Sequence, residues 1–449
     1  MQKPLDYYWN RRIRTLSATI EKYVSEFDKG IVDWDRKKLP KSKLRHIRQR
    51  LKSEFHQLSR ISTQLKKREP NLLIQQYYRR RIKELQIRIK IWQTKYDLRL
   101  SGYTRNNRVT ELIHQLYPLP NVTTRTKFIN EFIAFVSYSI EHNFADISSL
   151  PDIHELTKPA FYGVKQAHID ATPQDFKESI DKYKLSRASV LPGTTLSPAQ
   201  TRRVLESFCR HIKLHGIKTR IDTHRELFYV EKGRTIGVPG RTSTTWQRIT
   251  KIIVHEILVH VFRAKQGACN RNAAGRQLRM LENNLSQNLY VEEGIASYFE
   301  QQTFYESCKV DVPNLINFYL RIIAVQLGIE FEPDILKQKL LLVCRVQEQI
   351  EQDKTAIQIR NTLTNRLHRG MHNPGKGHVH TKIAQYLVGN RYIWEFIERG
   401  GNVYNLFAGK ITPDQLELLR EAGFYIPEDI EELKRDYVLE VVERYLPGT

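Results

Sequence analysis

Apolar residues recur at three- and four-residue steps through most of this chain, the period of helices with one buried face. The pattern is clearest in LRHIRQRLKSEFHQLSRISTQLKKR and, beyond Pro70, in NLLIQQYYRRRIKELQIRIKIWQTKYDLRL, which predict a helical hairpin. Residues 1–30 predict a shorter helix ahead of it. Ser101-Gly102 and Asn106-Asn107 mark a boundary, separating a helical N-terminal region, 1–105, from a second region, 106–449. In the second, Ser197-Pro198-Ala199-Gln200 starts a helix expected to end at Gly216. The period then shortens to two in RIDTHRELFYVEKGRTIGVPG, which reads as two short strands joined at Lys232-Gly233. These precede the apolar segment ITKIIVHEILVHVFRA, so the expected class is α+β, mostly helical, with a small sheet beside one apolar helix.

Composition leaves room for a sizeable core, since 40% of the 449 residues are hydrophobic, and one large domain with a smaller appendage fits the length. The N-terminus MQKPLDYYWNRRIRTL carries charges where a signal peptide needs its apolar run, and no stretch approaches eighteen apolar residues, so neither secretion nor a membrane span is expected. Cys209, Cys269, Cys308 and Cys344 are scattered without a metal-binding or disulfide pattern, which suits a reducing cytoplasm. The net charge of +23 is concentrated in the hairpin, where 21 Lys and Arg between Arg36 and Leu100 face only Glu54, Glu69, Glu84 and Asp97. That excess is either a solvated helix face or a surface for an acidic partner: a protein tail, a lipid surface or nucleic acid. No nucleic-acid motif accompanies it, which disfavours the last.

His255-Glu256-Ile257-Leu258-Val259-His260 supplies the candidate chemistry. Two imidazoles and a carboxylate on an apolar helix point to zinc, with Glu256 as the base acting on a metal-bound water. In the usual H-E-x-x-H pattern the two His are four apart. Here they are five apart, a rotation of about 500° on a regular helix that leaves them roughly 140° from each other. A π-turn inside the helix would bring them to one side. A third ligand is available in YVEEGIAS, where Glu293 completes a His₂Glu set with one position open. Gly294 beside it is expected to let this helix approach the metal closely. His368, His372, His378 and His380 are dense enough for a second metal site, but Gly370, Pro374, Gly375 and Gly377 among them fit a loop better.

HEILVH followed by EEGIA resembles the tyrosine/phenylalanine carboxypeptidase-domain family, whose bacterial members carry a QEGLA signature; Glu292 stands here where they have Gln. The similarity extends over roughly residues 106–445, from Leu116-Tyr117-Pro118-Leu119-Pro120 to the segment from Arg366 to Gly389. The resemblance implies a zincin-like metallopeptidase using Zn²⁺ to remove a C-terminal Tyr or Phe from a peptide or protein. It also nominates Arg366, Arg369 and Lys382 for the terminal carboxylate, and His380 and Tyr386 as donors to the reacting carbonyl oxygen. Two alternatives are a zinc endopeptidase with the same chemistry and a non-enzymatic binding or regulatory protein acting through the basic hairpin. Glu256 argues against the second, because a structural metal needs no general base.

Overall fold

Helical periodicity is realised through most of the chain in a computed structural model, which describes residues 6–31, 41–101, 106–165, 169–188, 195–224, 228–231, 234–282, 285–305, 309–352, 354–369, 371 and 373–445. Helices α1 (Tyr7–Ile31), α2 (Lys41–Arg68) and α3 (Leu72–Ser101) come first, then α4 (Asn106–Leu116), α5 (Val122–Glu141), α6 (Pro159–Tyr162) and α7 (Pro173–Ala188). Strand β1 (Thr195–Leu196) precedes α8 (Pro198–His211), followed by β2 (Lys218–Asp222), β3 (Tyr229–Glu231), β4 (Thr235–Pro239) and β5 (Thr244–Thr245). Helix α9 (Trp246–Ile252) runs into a π-helical segment, Ile253–Val261, which continues as α10 (Phe262–Cys269). The remaining helices are α11 (Leu289–Tyr305), α12 (Val312–Glu330), α13 (Pro333–Glu351), α14 (Ala356–Leu367), α15 (Gln385–Glu398), α16 (Leu416–Glu421) and α17 (Arg435–Glu443). The class is α+β and mostly helical.

Local chemistry explains the boundaries. Pro70 cannot continue α2, and the Asn71 side chain accepts the Ile74 N–H to start α3. Ser197 and Gln200 form a reciprocal capping box, with Pro198 in the first turn of α8. That helix stops at His211, five residues before the expected end at Gly216. The sheet also differs from a simple pair of strands. Three strands lie in the order β2-β4-β3, with β2 parallel and β3 antiparallel to β4. The expected junction at Lys232-Gly233 lies outside the described residues. β3 packs against the π-helical segment, setting the sheet beside the apolar helix.

Buried apolar side chains form two large clusters. One joins the inner faces of α1, α2 and α3, including Ile47, Leu51, Leu58, Leu65 and Trp92, to β4, the π-helical segment and α11. The other is built on α5, α12, α13 and α14 and ends at the start of α15. Helix α12 is apolar and long enough to cross a membrane, yet 83% of its most apolar window is buried inside the protein, which makes it a core helix. The seam between the clusters is closed where α11 meets α15. A Cβ at Gly294 would lie 2.2 Å from the Gly389 carbonyl oxygen, and one at Gly389 would lie 1.8 Å from that of Tyr290. Gly294 therefore serves helix contact, not approach to a metal as its place in the sequence suggested; the two backbones meet without side chains between them.

Candidate metal centre

The five-residue gap between His255 and His260 is absorbed by π-helical backbone that runs for nine residues, and the N–H of Phe262 still reaches back to the Ile257 carbonyl, five residues earlier. Both imidazoles consequently leave the same side of the helix, with ring centroids 4.8 Å apart and planes at 83°. Glu293, on α11, enters from the facing helix. Its Oε2 lies 3.3 Å from His255 Nε2 and 4.0 Å from His260 Nε2. The ligand atoms of all three residues fall within 4.8 Å of one another. Two ligands about 2.0–2.1 Å from one tetrahedral zinc stand about 3.4 Å apart, so these three need only small movements to share an ion.

The surrounding bonds settle which ring nitrogens face inward. His255 Nδ1 donates to Glu300 Oε1 at 2.5 Å and His260 Nδ1 donates to Glu292 Oε1 at 2.8 Å, since a carboxylate only accepts. Both Nε2 atoms are thus turned toward Glu293. Carboxylates behind metal-binding imidazoles fix the tautomer and raise ligand basicity in this way. Glu293 Oε2 is buried and makes no hydrogen bond of good geometry, with His255 Nε2 standing 3.3 Å away. Burial would lower the His255 pKa, but Glu293, Glu300 and Glu256 raise it well above the ordinary 6.5. Burial would likewise raise Glu293, yet His255, His260 and Lys382 hold it low and ionised. A buried carboxylate oxygen without a partner, two aligned Nε2 atoms and carboxylates that call for positive charge together fit a divalent cation.

Glu292 is more deeply engaged than its reading as a variant of the QEGLA glutamine implied. Besides His260 it accepts from Arg263 and, at 2.5 Å, from Lys410. Burial would raise its pKa, but Lys410, Arg263 and His260 hold it well below the usual carboxylate range. Glu256, half-buried, follows His255 on the π-helical segment and its charge acts on that ring.

The residues nominated from the 366–389 segment divide. Tyr386 lies within range of the centre's charges: the Glu293 charge, then burial, pushes its pKa up to about 12, so its hydroxyl keeps its proton. Lys382 is half-buried and its charge acts on Glu293. Arg366, half-buried at the end of α14, acts on Tyr386. Arg369 is exposed and its charge falls on His380. His380 is lowered to about 3 by burial with Lys382, Arg369 and Lys95, and its Nδ1 accepts the Lys382 N–H, leaving a neutral ring that holds the loop. His368 Nδ1 donates to the His378 carbonyl, and His378 accepts the Gly375 N–H, so these two also serve the loop; His372 lies outside the described residues. The Leu116–Pro120 stretch holds the segment in place, with the Tyr117 carbonyl accepting from Thr381 and the Pro118 carbonyl from Gln385.

Arg321 and Glu300 escaped the sequence reading. Glu300 stands seven residues after Glu293, on the same face of α11, a spacing that could have exposed it. Arg321 is a lone charge in the apolar run LINFYLRIIAVQLGI, and its meaning depends on what lies opposite.

No curated protein matches the chain. The model of a family described as microtubule-associated tyrosine carboxypeptidase matches residues 158–423, which take in the π-helical segment, α11, α12 and the loop carrying Lys382. With more than half of its length matched across every element of the centre, this chain belongs to that family.

Proposed function

We propose that the chain is a zinc carboxypeptidase that removes a C-terminal tyrosine from a peptide or protein, holding the ion through His255 Nε2, His260 Nε2 and Glu293. The observation that carries the proposal is the convergence of those three donors around an unpartnered buried carboxylate oxygen, with each imidazole backed by a second carboxylate. When bound, zinc would acidify a water and polarise the scissile carbonyl. Glu256 takes the proton of the attacking water and returns it to the amine that leaves as the C–N bond breaks. Tyr386, protonated over the working pH range, donates its hydroxyl to the carbonyl oxygen as negative charge grows there. Tyrosine as the residue released follows the family's description. The outward face of α2, with Arg45, Arg48, Arg50 and Lys52 exposed, suits an acidic protein surface as partner.

About one zinc per chain is expected by elemental analysis, and His260→Ala should lose it. Glu256→Gln should keep the metal while hydrolysis of a Tyr-ending peptide falls by roughly 10²–10⁴. Wild-type rates in that variant would reject Glu256 as the base, whereas a wild type that binds the peptide without hydrolysing it would favour a protein that works by binding alone. Amidating the peptide's C-terminus separates the remaining alternative, since an endopeptidase would cleave the amide as well.

A further inference from the structure

Among the described residues four arginines are almost fully buried: Arg125, Arg263, Arg321 and Arg391. Arg125 donates to Gln326 and the Pro120 carbonyl, Arg263 to Glu292, and Arg391 to Glu131. Arg321 differs in its charge balance. It is 8% exposed and, like Arg391, leaves Nε and Nη1 without a hydrogen-bond partner, but where Arg391 is paired with Glu131, Arg321 forms no ion pair among the described residues. Its guanidinium lies 4.1 Å from the ring centroid of Tyr386 and 4.8 Å from that of Phe318, between aromatic neighbours. The Glu293 charge reaches it. A desolvated cation with two unused donors is costly unless something else supplies the acceptors, and the planar fork of an arginine matches a carboxylate with two parallel bonds.

We infer that Arg321 binds the terminal α-carboxylate of the substrate, with Tyr386 beside it. A C-terminal residue places its carboxylate one residue beyond the scissile bond, within about 3.8 Å of chain, so an anchor beside Tyr386 and within reach of the Glu293 charge is suitably positioned. The assignment rests on the carboxypeptidase reading. It gives the central carboxylate contact to Arg321 on α12 in place of Arg366, Arg369 and Lys382; Arg366 and Lys382 remain as nearby positive charge.

The test compares N-acetyl-tyrosine with N-acetyl-tyrosinamide as ligands, by calorimetry on the full-length zinc-loaded protein, alongside hydrolysis of a Tyr-ending peptide. Wild type should prefer the acid over the amide by roughly ten- to a hundredfold, the size of a pair of charge-assisted hydrogen bonds. Arg321→Met should abolish that preference by weakening the acid alone, raising KM more than it lowers kcat; Arg321→Lys should fall between. If Arg321→Met does not fold, Arg321→Lys decides: at least a severalfold loss of acid binding with amide binding unchanged supports the assignment. An undiminished acid preference in a folded variant overturns it, as does a wild type that binds both ligands equally. Absence of hydrolysis by the wild type would defeat the carboxypeptidase reading instead, while an acid preference that depends on Arg321 would still mark the carboxylate site.

Discussion

At the scale of single residues, the centre is held by pairs of a histidine and the carboxylate behind it. Glu292 shows what the second member does. It orients His260 and lies between Arg263 and Lys410, whose buried charges it offsets. Glu292→Ala should weaken zinc binding about 10–100-fold, as removing a carboxylate behind a metal-binding imidazole does. It should also destabilise the fold by about 3–5 kcal/mol, because two buried cations lose their partner. Glu292→Gln keeps an acceptor for His260 and should recover most of the zinc affinity but little of the stability. Competition with a chelator and thermal melting separate the two effects; equal zinc affinity in the Ala and Gln variants would show that the His260 contact is not what matters.

At the scale of elements, the centre depends on three backbones brought together by different means. The π-helical segment turns His255 and His260 to one side, α11 delivers Glu293, and α15 delivers Tyr386. The last two are locked by Gly294 against Gly389, where either Cβ would sit within 2.2 Å of a carbonyl oxygen. Backbone cannot yield as a flexible side chain can. Gly389→Ala should therefore force α15 away from α11, costing at least the 1–3 kcal/mol typical of overpacking. It should also separate Tyr386 from Glu293, lowering kcat more than zinc occupancy. Melting temperature and kinetics near the wild-type values would mean that the contact is looser than its geometry.

At the scale of the whole molecule, the reactive groups occupy the seam between two apolar clusters, with the histidines and Glu293 on one side and Arg321 on the other. The basic hairpin belongs to the first cluster. Beyond its apolar face, Glu84 of α3 accepts from the Ser286 hydroxyl and Asp6 accepts from the Arg279 and Met280 N–H groups, just ahead of α11. Deleting residues 1–105 should then leave the remainder unfolded or highly sensitive to protease, because the lost helices cover side chains around the π-helical segment. A soluble, zinc-binding 106–449 fragment would show instead that the hairpin is dispensable. Its exposed basic face is better tested on the intact protein. Association with an acidic polypeptide should fall steeply between 0.1 and 1 M salt, as the Debye length shrinks from about 10 to about 3 Å, while turnover of a short neutral peptide holds.

The sequence by itself determined the helical class, the hairpin with its charge, the metal motif and the need for a π-turn. Each of these is a local property: a period of hydrophobic residues, a run of Lys and Arg, or an angular step between two histidines. It also nominated Glu293 and Tyr386, one from a spacing and the other from a family resemblance. What it could not decide was which polar groups would face one another across the seam. Glu300 and Glu292 behind the histidines, Gly389 beneath Gly294 and Arg321 opposite the centre are separated from their partners by up to 95 residues of chain. Only the packing of α11, α12 and α15 brings them together. Burial then gives them their roles, since an unpaired charge or carboxylate oxygen carries no special cost until tertiary structure has taken water away from it.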